Sequence, residues 1–163
     1  MLFREQGGEI YHQLQRLFDN LYLSAILEGR YLFVHGGVPE STRSLRDIAD
    51  AQQDHPEKTN LEEILWSDPA ESLEGTAPSP RGAGRLFGES VTRQVLGQLR
   101  VKTLIRGHTP VSDGVMASQN GAVLTIFSRK GAPYFNSMAA YLELNRRSEA
   151  LSADQLTQCA SRF

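Results

Sequence analysis

Two apolar runs in this 163-residue chain end in the same way, and that repetition constrains the fold more than any other feature. Tyr31 to Val34 leads into His35, Gly36 and Gly37, and Val101 to Arg106 leads into Gly107 and His108. Short apolar runs closed by glycine read as buried strands. Two such strands, each delivering a histidine to its end, bring His35 and His108 to one edge of a sheet, where open sheets place their ligands. Paired imidazoles can bind a divalent transition metal there. Either histidine alone reads as a hydrogen-bonded strand end; the repetition and the flanking glycines favour a site.

The rest of the chain supplies helices and turns around those strands. Ile10, Leu14, Leu17, Phe18 and Leu21 recur at helical spacing, which predicts a helix over Glu9–Leu21 with one side buried. Residues 21–27 and 30–36 read as strands turning at Glu28-Gly29. Residues 44–53 suit an exposed helix, residues 54–60 a loop closed by Pro56, and Asn60 the N-cap of a helical turn over 61–66. Residues 67–88 lack periodicity and are rich in Gly, Pro and Ser, as functional or disordered loops are. A helix over Glu89–Leu99 follows, then a hairpin over 114–128 turning at Asn120-Gly121, then a last strand over 138–144. Residues 1–145 read as one unit and 146–163 as a polar tail or weak helix.

With 40% hydrophobic residues the chain suits one compact domain or a large part of a bigger one. A formal charge of −2 supplies no broad basic field, which argues against nucleic acid as the main partner. The single Cys159 forms no internal disulfide and has no companions for a zinc knot, so a reducing compartment is expected. The opening residues lack the apolar core of a signal peptide, and no stretch approaches the ~18 apolar residues of a membrane span. A cytoplasmic protein without membrane contact is expected.

Between the two histidines lie further candidates. Arg81 is followed by Gly82 and Gly84, which free the backbone and let the guanidinium offer a two-pronged fork to a phosphate. Asp68 stands between Trp66-Ser67 and Pro69, where a carboxylate can also do no more than cap a turn. Arg106 ends the second strand, and Ser128, Arg129 and Lys130 after a further apolar run suit an anion-binding loop or a solvated strand end.

Taken in order, "LFVHGGVP", "LWSDP", "RGAGRLFG", "LIRGHTPVSDG" and "LTIFS" resemble the second half of the PPP family of metal-dependent serine/threonine protein phosphatases, from about Glu9 to Leu144. The resemblance implies an α/β fold, the four-layer α/β/β/α sandwich of calcineurin-like metallophosphoesterases, of which this chain would be an incomplete C-terminal half. It implies hydrolysis of phosphoserine or phosphothreonine in proteins by a water shared between two divalent ions, Mn, Fe or Zn. His35 and His108 match metal-binding histidines of the family, Arg81 the arginine that grips phosphate oxygens, and Asp68 the aspartate that supports the site; these four would form the catalytic set. The substrate would be a phosphoprotein or phosphopeptide.

Three other family motifs, which supply the remaining metal ligands, the general acid and a second arginine, have no counterpart here: the sequence has no Gly-Asp and no Asn-His dipeptide. The resemblance therefore implies that an N-terminal segment with those motifs lies outside this sequence, that at most one metal ion binds weakly here, and that the chain alone is inactive. Where many members carry an active-site tyrosine, Arg129, Lys130 and Gly131 stand, and Tyr134 is displaced by a few residues as a substrate-binding candidate. Two alternatives remain open: a module that binds metal or phosphate without catalysis, and a phosphodiesterase or nucleotide phosphatase on the same fold.

Overall fold

The structure, a computed structural model, describes residues 6–163, so the first five residues of the opening segment lie outside it. Its centre is a five-stranded mixed sheet of order β1-β2-β6-β8-β7. The strands are β1 (Ser24–Leu27), β2 (Tyr31–Val34), β6 (Thr103–Arg106), β7 (Val115–Ser118) and β8 (Val123–Ile126). β1 and β2 form the hairpin expected from Glu28-Gly29, with Gly29 at φ +70°. β7 and β8 form the second hairpin, turning through left-handed Gln119, Asn120 and Gly121. The two histidine-bearing strands, β2 and β6, are parallel neighbours with Phe33 opposite Ile105.

Alternation along the strands sends side chains to two faces. Leu32, Leu104 and Val123 point to one side, where Ile48, Ile64, Val91 and Val95 cover them completely or nearly so. Those residues come from α2 (Leu45–Ala49), α3 (Asn60–Trp66) and α4 (Glu89–Leu99). Tyr31, Ile105 and Leu124 point to the other side, against Ala153 and Leu156 of α5 (Ala153–Cys159). A Ser152 capping box with Gln155 starts that helix. β9 (Ala140–Tyr141) pairs antiparallel with β10 (Ser161–Arg162), which ties the end of the chain to the segment before it. Among the described residues no helix is long and apolar enough to cross a membrane.

Four local expectations need correction. α1 (Gly7–Phe18) forms, but no residue of it is buried: Tyr11, Leu14, Leu17 and Phe18 stay exposed, because periodicity marks an apolar stripe without supplying the surface to cover it. α2 is shorter than expected and exposed along most of its length, but Ile48, and Ala51 just beyond its end, are fully buried. Thr59, not Asn60, is the N-cap of α3; the Asn60 side chain instead accepts from Ser41 Oγ and donates to the Asp47 carbonyl, pinning α3 to α2. Residues 67–88 are not a structureless loop. They hold a small sheet of β3 (Asp68–Pro69), β5 (Arg85–Phe87) and β4 (Thr76–Pro78), in that order, whose strands are too short to show a period of two.

Candidate active site

Parallel pairing of β2 and β6 decides where the histidines go. The ladder continues past both strands, with Gly107 N–H donating to the His35 carbonyl at 3.0 Å. His35 and His108 therefore leave the same end of the sheet. Their rings meet edge to face, with centroids 5.0 Å apart and His108 Nδ1 3.2 Å from His35 Nε2. Trp66, half exposed, packs edge-on against His108 at 5.7 Å.

His108 reaches that position at a backbone cost. Its φ is +65°, a left-handed value that side-chain-bearing residues rarely adopt, and Thr109 N–H closes the turn onto the Gly107 carbonyl at 2.7 Å. The glycines after His35 have a different use from the one the sequence suggests. Both Gly36 and Gly37 donate backbone N–H to the Ile64 carbonyl, and a Cβ on Gly36 would sit 2.8 Å from the Leu65 backbone. The end of α3 lies against Gly36, and the Phe87 ring and Ser67 lie against Gly37.

Asp68, at the start of β3, joins the remaining candidates. Its Oδ2 accepts from Arg81 Nε at 2.6 Å, and its Oδ1 accepts from Arg106 Nη2 at 2.9 Å and from Thr109 Oγ1 at 2.5 Å. Arg106 is almost fully buried and also donates to the carbonyls of Gly36 and Ser67 and to Thr109 Oγ1. Burial alone would raise the Asp68 pKa. Hydrogen bonds from Thr109 and Arg81, with the charges of Arg106 and Arg81, outweigh it and hold the carboxyl below its ordinary value. Burial lowers the pKa of Arg106, and Asp68 opposes that shift.

Both imidazoles are held below their ordinary pKa, chiefly by partial burial. The Arg106 charge adds to this for His35; for His108, Asp68 opposes the shift while Arg106, Arg81 and His35 add to it. Neutral rings keep a nitrogen lone pair available for a metal. His108 Nε2 is buried and has no hydrogen-bond partner. The two nitrogens that face each other, His108 Nδ1 and His35 Nε2, suit two positions of a divalent-ion site. Among the described residues no group of three or more His, Cys, Asp or Glu completes it.

Arg81, Asp68, His35 and His108 thus share one end of the sheet. The Tyr134 ring packs instead on Phe127 at 5.2 Å, with the Arg129 guanidinium 5.8 Å from its centroid. Arg129 also donates to the Ala132 carbonyl within its own loop. The integrating role of Arg106 was the part least visible in the sequence. Its one signal was a charged residue closing an apolar strand just before the Gly-His pair.

Comparison with known proteins points the same way. A family model described as calcineurin-like phosphoesterase matches residues 2–112. A serine/threonine-protein phosphatase of Caenorhabditis elegans is 34% identical over 133 residues, which cover 80% of this chain and 28% of that protein. A solved protein serine/threonine phosphatase from Saccharomyces cerevisiae, described as similar to human phosphatase PP5, superposes with a TM-score of 0.70 at 27% identity. That match covers 81% of this chain and 42% of the yeast one. This chain therefore spans less than half the length of either relative.

Proposed function

The chain belongs to the calcineurin-like phosphoesterase family, and from that premise we propose that it is the C-terminal part of a phosphoprotein phosphatase acting on phosphoserine and phosphothreonine. The observation that carries this reading is the convergence of an imidazole pair and an arginine fork on one sheet edge. Arg81 is held through Nε alone, so its two terminal nitrogens remain to take phosphate oxygens in a bidentate grip. His35 and His108 would hold one divalent ion, which when bound supplies an acidified water as nucleophile and a positive charge for the phosphoryl oxygens. Asp68 orients Arg81 and balances one of the two guanidinium charges.

Two imidazoles fill two positions of an ion that takes about four to six ligands. The reading therefore includes a second set of ligands from a segment outside this sequence, and little turnover by the chain alone. Ground-state binding by Arg81 does not by itself lower the barrier to the chemical step. The test is hydrolysis of p-nitrophenyl phosphate and of a phosphothreonine peptide in Mn²⁺ by this chain and its His108→Ala variant. Background rates from both are expected. Strong turnover that the variant loses would overturn the half-site reading.

A further inference from the structure

Arg106 is the largest fully buried side chain among the described residues, and burying a guanidinium is costly unless every donor is used. Here the donors reach four acceptors on three separate stretches: Gly36, the adjacent Ser67 and Asp68, and Thr109. Arg106, Thr109 and Asp68 close a triangle in which both donors converge on Asp68 Oδ1. With Oδ1 occupied twice, the carboxylate presents Oδ2 in one direction, and Arg81 Nε is what it meets.

We propose that Arg106 is the positioning residue of the phosphate grip: through Asp68 it fixes Arg81 so that the terminal guanidinium nitrogens face an incoming oxyanion. The proposal rests on the reading of Arg81 as the phosphate-binding arginine. Arg81 needs such help because it lies in a glycine-rich turn, with Gly82 at φ +81° and Gly84 at φ +67°, and its side chain is 39% exposed. A long side chain there samples many rotamers, and each must be given up on binding. A fixed Nε removes most of that cost before the ligand arrives. The bonds from Arg106 to Gly36 and Ser67 add a second consequence. The same guanidinium sets the turn after His35, so the grip and the imidazole edge keep a constant relation.

A purely structural Arg106 would stabilise the fold without affecting ligand affinity in variants that remain folded. Two readouts separate the roles in this chain: affinity for inorganic phosphate, and the solvent exchange rate of the Arg81 Nε–H proton by nitrogen-15 NMR, assigned through Arg81→Lys. Arg106→Lys replaces the four-acceptor fan with one ammonium, and Asp68→Asn removes the charge at the hinge. The proposal expects both variants to lose phosphate affinity about tenfold, the double variant to lose little more, and Arg81 Nε–H exchange to speed up at least tenfold. Wild-type affinity in folded Arg106→Lys, losses that multiply in the double variant, or unchanged Arg81 exchange would each overturn it. If Arg106→Lys does not fold, Thr109→Val decides, since it removes the hydroxyl that closes the triangle. Unchanged Arg81 exchange in folded Thr109→Val is then the overturning result. Equal phosphate binding by wild type and Arg81→Ala is a separate outcome: it overturns the assignment of Arg81 as the grip, whatever the exchange rates show.

Discussion

The Arg106–Asp68–Arg81 network and the His35–His108 pair lie at the same sheet edge, yet they are built on opposite principles. In the network each carboxylate oxygen has its donor, and the buried guanidinium is shared among four acceptors. In the pair, one imidazole sits at a left-handed φ and leaves a buried nitrogen without a partner. The first arrangement is complete within this chain. The second spends stability on a contact the described residues do not supply, as functional sites commonly do. Breaking the network should therefore damage the fold, whereas removing the pair should leave it intact or improve it.

The largest effect should come from Arg106→Met. It removes the positive partner of a buried carboxylate contact and strands the carbonyls of Gly36 and Ser67. Unfolding in urea should show a loss of about 3 kcal/mol, the usual consequence of removing one member of a buried ion pair. A loss below about 1 kcal/mol would mean that solvent already reaches the network and that the contrast with the pair is false.

That contrast also marks how far the sequence could be read. His35 and His108 were legible because a strand signal ends at each, and one parallel pairing then suffices to bring them together. The Asn120-Gly121 turn and α4 were legible because their signals are local. Arg106 was visible as a candidate but its role was not, because three of its four partners lie 38 to 70 residues away in sequence and no local pattern encodes them. β3, β4 and β5 were missed for a related reason: two- and three-residue strands carry no measurable alternation, and their pairing comes from the closing of the Arg81 turn over α3. There Glu62 Oε1 accepts from Gly84 N–H at 2.7 Å. α1 shows the converse, a strong pattern whose buried side the described residues do not provide.

An intermediate effect should appear in the pH dependence. Both imidazoles have pKa values lowered in the fold, so the unfolded chain binds more protons than the folded one near pH 6. Their contribution is fully present above the unfolded value of about 6.5 and is lost as pH falls towards the folded values. Stability measured in urea between pH 7.5 and 5.5 should thus decline on acidification. The double variant His35→Gln/His108→Gln should flatten that slope while leaving the network's own acid loss in place. That second loss occurs at lower pH, where Asp68, depressed in the fold, takes up its proton. An unchanged slope in the double variant would place the titrating groups elsewhere.

The smallest effect, and the sharpest test of the comparison, is His108→Gly. The substitution deletes the ring that faces His35 and the orphaned Nε2, and it places glycine at a φ of +65°. Glycine adopts that region without the steric penalty a Cβ carries, although it adds freedom to the unfolded chain. The first gain exceeds the second at a left-handed position, and no buried nitrogen remains unsatisfied. Stability at pH 7.5 should rise by about 0.5 kcal/mol in urea unfolding. Affinity for Mn²⁺, measured by calorimetry on the same samples, should disappear. A drop in stability of more than about 1 kcal/mol would show that His108 is held by packing on Trp66 as a core residue is, and not strained to face a ligand.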